Sequence, residues 1–128
     1  MNSLILSATV STPSVRFDSG TSELEMRGES YPENAFEFYR PLLAWLREYL
    51  ASPPGPVVFR VHLKYMNTSS VKCMMDVLDT LEEAHGRGQD VAVYWYHESD
   101  NDRALDMAEE FKEEVTLPFH LVAESAAP

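Results

Sequence analysis

Apolar and polar positions alternate with a period of two along VVFRVHLKY, residues 57–65: Val57, Phe59, Val61 and Leu63 fall on one side, Val58, Arg60, His62 and Lys64 on the other. The spacing predicts a strand over Pro56–Tyr65 with one buried and one wetter face. DVAVYWY at 90–96 repeats the pattern, and Pro118–Val122 is a short third version. The N-terminal part predicts one strand-like stretch from Leu4 to Val10 and on to Phe17, with Pro13 marking a kink or an edge, and a second over Leu24–Arg27. DSGTS between them has the composition of a hairpin turn. The other segments change to helical spacing. Phe36, Tyr39, Leu42, Leu43, Leu46, Tyr49 and Leu50 form one stripe, with Asn34 as N-cap and Pro41 predicting a kink or a restart before SPPGP ends the helix. Val71, Met74, Met75, Leu78 and Leu81 form a second, which should stop near Gly86. Ala104, Leu105, Ala108 and Phe111 form a third, capped from HESDND.

After the opening hairpin the order is helix, strand, helix, strand, helix, strand, which predicts an α/β sandwich with helices packed on a sheet. The chain of 128 residues suits one domain, over 1–123, with 124–128 expected to fray. No apolar run is long enough to span a bilayer, and MNSLILSATV lacks the basic region of a secretory signal, so it reads as mature protein. The single cysteine, Cys73, precludes an internal disulfide and fits a reducing cytoplasm. Ten Lys and Arg against 21 Asp and Glu give a net charge of -11, which argues against nucleic-acid binding and against membrane insertion or anionic lipid.

Catalytic motifs are absent from the sequence. His62, His85, His97 and His120 have no short ligand spacing and Cys73 has no CxxC partner, so neither a metal site nor a cofactor is expected. There is no glycine-rich phosphate loop and no G-x-S-x-G elbow. What stands out is YMNTSSVKC at 65–73, where Asn67, Thr68, Ser69 and Ser70 sit between a strand pattern and a helix pattern. Such residues cap a helix by satisfying its first N–H groups. Capping is the default reading; they are also suited to accept a phosphate, since a helix N-terminus favours negative charge and Lys72 lies one turn beyond Thr68. The composition leaves both roles open. SYPEN at 30–34 has a similar pair of roles, helix entry or partner contact. Met66, Met74 and Met75 near the hydroxyls fit the core better than an interface.

SYPENAFEFY at 30–39 and YMNTSSVKCMMDVLDTLEEAH at 65–85 resemble the SiaC family of bacterial regulatory phosphoproteins, with weaker likeness in STPSV at 11–15, AEEFKEE at 108–114 and Pro118-Phe119. The resemblance implies a STAS-like fold, similar to anti-sigma-factor antagonists, and a partner-switching role without enzymatic activity. In that role a serine/threonine kinase phosphorylates Thr68, a PP2C-type phosphatase removes the phosphate, and the bare form binds and activates a diguanylate cyclase, raising cyclic di-GMP and promoting biofilm growth. Asn67, Ser69, Ser70, Lys72, Tyr31, Glu33 and Asn34 are candidate partner contacts. The alternatives are an antagonist-type switch with a transcriptional partner, and a small enzyme whose site is assembled only in three dimensions around a deep pocket of titratable groups.

Overall fold

The computed structural model describes residues 1–53 and 55–125. Six strands form one sheet in the order of the chain: β1 (Leu4–Leu6), β2 (Ser14–Phe17), β3 (Glu23–Ser30), β4 (Val57–Met66), β5 (Val91–Glu98) and β6 (Phe119–Glu124). β1, β2 and β3 pair antiparallel; β3 to β6 pair parallel. The parallel strands are joined by α1 (Ala35–Leu50), α2 (Thr68–Gly86) and α3 (Asp102–Glu113).

Each crossover advances by one strand in the same direction, and crossovers of one hand then place every helix on the same face. The register agrees. Phe17, Leu24, Phe59 and Val93 stand side by side across the sheet, and all are buried. Trp45 of α1 packs on Phe17 at 5.4 Å and Phe111 of α3 packs on Trp95 at 5.1 Å, so α1 and α3 cover this one face. The opposite face carries Arg60, His62, Tyr94, Tyr96 and His120, with no helix over it among the described residues. There Arg60 lies over the Tyr94 ring and donates to the Tyr96 hydroxyl, while His62 stacks on Tyr96 and His120 on Tyr94.

Two details depart from the sequence expectations. The stretch Leu4–Phe17 is two antiparallel strands, because the Thr9 hydroxyl accepts from the Ser11 and Thr12 amides and reverses the chain before Pro13. The turn over Asp18–Ser22 does form as expected, with Asp18 Oδ1 accepting from Gly20 and Thr21. Pro41 does not restart α1, which runs unbroken from Ala35 to Leu50 with Pro41 on its exposed side. α2 ends at Gly86, where the sequence places its stop, and Gly88 at φ +90° follows it, with the amides of Gly88 and Gln89 donating to His85 and Ala84 carbonyls. In the tail, Glu124 closes β6 and residues 126–128 lie outside the described residues.

Candidate functional site

The strand β4 delivers the YMNTSS segment to the carboxyl end of the sheet. Near its end the register with β3 shifts: Gly28 faces Leu63 but Glu29 faces Tyr65, leaving Lys64 as the extra residue of a bulge. The bulge turns Tyr65 outward, 52% exposed, and returns Met66 to the core. Asn67 then caps α2, its Oδ1 accepting from the Ser70 amide at 2.9 Å. The cap is therefore Asn67, and the hydroxyls beyond it are left for other tasks.

Those hydroxyls separate by burial. Thr68, the first helical residue, and Ser69 are exposed. Ser70 is fully buried, and its Oγ accepts from Ser30 Oγ at 2.8 Å. Ser30 Oγ in turn lies 2.8 Å from the Tyr39 hydroxyl of α1. This buried chain pins the start of α2 to β3 and α1. Burial pushes the Tyr39 phenol up to about 12, against the lowering effect of Ser30 and Ser70, so it stays a neutral donor. Ser70 is thus corrected from candidate partner contact to internal support.

The backbone N–H groups of Thr68 and Ser69 have no intrahelical acceptor, and α2 has no acidic residue in its first turn. α1 and α3 have Glu37 and Asp102 there. A negative group on Thr68 therefore meets an uncompensated helix dipole. Lys72, exposed, follows one turn later.

SYPEN and YMNTSS meet in space. The Asn67 amide donates to the Ser30 carbonyl at 2.9 Å, and Asn67 Nδ2 lies 3.4 Å from the Pro32 carbonyl. Tyr31 stands edge-on to Tyr65, ring centroids 6.0 Å apart. Asn34 caps α1, as its sequence position predicts, by accepting from the Glu37 amide, and Glu33 is exposed beside it. Phe36, expected in the core stripe, is instead 59% exposed in the first turn of α1. The exposed rings of Tyr65 and Phe36 were not singled out as surface features by the sequence pattern. Met66 and Met74 are core residues, and Met75 packs against the core.

A second gathering of titratable groups lies at the ends of β4 and β5, in a groove of about 260 Å³ lined in part by His62, Lys64, His97, Glu98 and Glu124. These groups engage one another: His62 Nδ1 lies 3.2 Å from Glu124 and Lys64 lies 3.5 Å from Glu98. Cys73 is buried; burial, then Asp76, pushes its thiol up, away from the reactive thiolate. Among the described residues no three His, Cys, Asp or Glu side chains cluster as metal ligands, and no helix is long and apolar enough to cross a membrane.

Comparison with known proteins agrees with this geometry. A Pseudomonas aeruginosa (strain UCBPP-PA14) protein is 41% identical over 123 residues, covering 96% of this chain and 98% of its own. The crystal structure of apo-SiaC from Pseudomonas aeruginosa superimposes with a TM-score of 0.90 at 40% identity, over 96% of this chain and 100% of that one. So does SiaC of the same species in complex with the diguanylate cyclase SiaD, which it activates, with a TM-score of 0.91 at 40% identity, over 94% and 99% of the two chains. The profile of the SiaC family of regulatory phosphoproteins matches residues 6–124, and the chain belongs to that family.

Proposed function

We propose that this protein is a switch whose bare form binds and activates a diguanylate cyclase, and whose phosphorylation on Thr68 prevents it. The observation that carries the assignment to Thr68 is local. Thr68 is an exposed hydroxyl on the first residue of α2, next to free backbone donors and an uncompensated dipole, while Asn67 supplies the cap and Ser70 is buried. The cyclase comes from the Pseudomonas relative, whose complex with SiaD shares this fold.

The physics suits a reversible modification. A phosphate adds about 1.5 to 2 negative charges at neutral pH. On the helix terminus that charge is tolerated, so the fold survives. On a surface near the rings of Tyr31 and Tyr65, it repels and desolvates badly against a docked protein. Asn67, Ser69 and Lys72 beside Thr68, with Tyr31, Glu33 and Asn34 of the SYPEN segment that meets Asn67, form the partner surface in this proposal. A serine/threonine kinase and a PP2C-type phosphatase write and erase the mark, in the cytoplasm where ATP is available. The protein itself carries out no reaction.

Peptide mass spectrometry on protein from its native cell, with and without phosphatase, tests the assignment. The expected result is one removable phosphate on Thr68. Phosphate confined to Ser69, or none under any growth condition, would remove Thr68 from the role.

A further inference from the structure

β4 and β5 stay paired only as far as Val61 and Trp95, although β4 continues to Met66. The first turns of α3 pass alongside the unpaired end. Between them lies a groove of about 160 Å³ lined by Lys64, Tyr65, Met66, Arg103, Ala104 and Met107. Its floor is apolar, and the small Ala104 side chain leaves it open. Its charged residues are Lys64 and Arg103 alone, in a chain with twice as many acidic as basic residues. The larger grooves elsewhere on the surface each include a carboxylate. Arg103 is exposed and in no ion pair among the described residues; Lys64 shares a 3.5 Å contact with Glu98 in which both are largely exposed, a weak tie.

We propose that this groove receives one apolar side chain from an acidic, amphipathic segment of the partner protein, with Lys64 and Arg103 meeting the carboxylates beside that side chain. The inference rests on the switch described above and names the chemistry of what docks there. Two observations select this occupant. The charged residues lining the groove are both cations in a chain of net charge -11, so an acidic segment meets less repulsion here than over the chain as a whole, although Asp102 and Asp106 are exposed on the same helix. The groove is also continuous with the switch: Met66 is two residues before Thr68, about 7 Å of backbone, and Tyr65 packs on Tyr31. Half-buried Met107 and exposed Tyr65 supply an adaptable wall and a ring, side chains that interface centres favour. A phosphate on Thr68 sets its charge beside the same incoming carboxylates, so docking and phosphorylation oppose each other by like-charge repulsion.

The test is the affinity of the full-length protein for its cognate diguanylate cyclase, at low and high salt, for wild type, Arg103→Glu, Met107→Lys, Thr68→Asp and Arg47→Glu, the last a charge change near the far end of α1. Arg103 is exposed, so its variant keeps the fold even if Met107→Lys does not; thermal melts separate the two cases. The expected result is a loss of about tenfold or more for Arg103→Glu and for folded Met107→Lys, none for Arg47→Glu, and weaker wild-type binding at high salt. If wild type binds and Thr68→Asp abolishes binding, but Arg103→Glu and Met107→Lys bind like wild type, the groove is not the docking site and the switch stands. If wild type does not bind the cyclase, both fall. If Met107→Lys instead turns a dimer of this chain into monomers, the occupant is a second copy and the proposal is overturned.

Discussion

Asn67, Thr68 and Ser70 stand within four residues and have three different fates: one caps the helix, one faces solvent, one is buried. Each fate predicts a separate consequence of substitution. Asn67→Ala removes the bond to the Ser70 amide and should lower stability by roughly 1 kcal/mol, while Thr68→Ala, whose hydroxyl has no hydrogen-bond partner among the described residues, should leave the thermal midpoint nearly unchanged. Ser30→Ala strands the hydroxyls of both Ser70 and Tyr39 and should cost about 1–3 kcal/mol; chemical denaturation of the three variants compares them directly. The caps were legible in the sequence to different degrees. Asn34 could be named because one capping residue preceded the apolar stripe. At 67–70 four capping-type residues competed, and the local pattern could not choose among them. The choice is made by Ser30 and Tyr39, which come from β3 and α1 and are 40 and 31 residues away from Ser70 in the chain.

At the scale of elements, α2 is held at both ends. Its start is tied down by the buried hydroxyl chain and its far half by Glu82, whose carboxylate accepts from the Thr116 amide, the Thr116 hydroxyl and the Leu117 amide at the entrance to β6. Desolvation acts to raise the Glu82 carboxyl, but the bonds from Thr116 and Leu117 outweigh it and hold the group below its ordinary range. A depressed carboxyl contributes stability above its unfolded value of about 4.3 and loses it as pH falls through the lower folded value. Glu82→Gln should therefore melt earlier than wild type at pH 7, by roughly 1 kcal/mol for a partly exposed group, and the gap should close as pH falls below about 4. A gap that stayed constant down to pH 3 would show that the carboxylate charge is not what matters. The helices and parallel strands were readable because their periods are long and uninterrupted. The split of Leu4–Phe17 into two strands was not, since it depends on a turn built from Thr9 rather than on glycine; nor was the continuity of α1 through Pro41, which depends on that position facing water.

At the scale of the molecule, all the helices lie on one face of the sheet and all their N-termini lie at its carboxyl edge, where Thr68, Tyr31, Tyr65 and the groove beside α3 meet. The sheet and its core do not depend on the Thr68 side chain, which is exposed. Phosphorylation of Thr68 should accordingly leave the thermal midpoint within a few degrees of the bare protein, at or slightly above it, since a charge favourable to the helix dipole is worth about 0.3–1 kcal/mol. The fold class was legible from the alternation of helix and strand patterns, and the SYPEN and YMNTSS blocks that carry the family likeness are what direct the proposal to Thr68. The surface around it was not, because a bulge at Lys64 turns Tyr65 out of alternation and α3 arrives from a distant part of the chain. The central claim is that one charge at Thr68 decides docking while the fold stays the same. Titration calorimetry of the cognate diguanylate cyclase against the bare protein and against the same protein stoichiometrically phosphorylated on Thr68 tests it most directly. The account predicts binding by the bare form and about tenfold or weaker affinity for the phosphorylated form, with unchanged far-UV circular dichroism. Equal affinities for the two folded forms would contradict it.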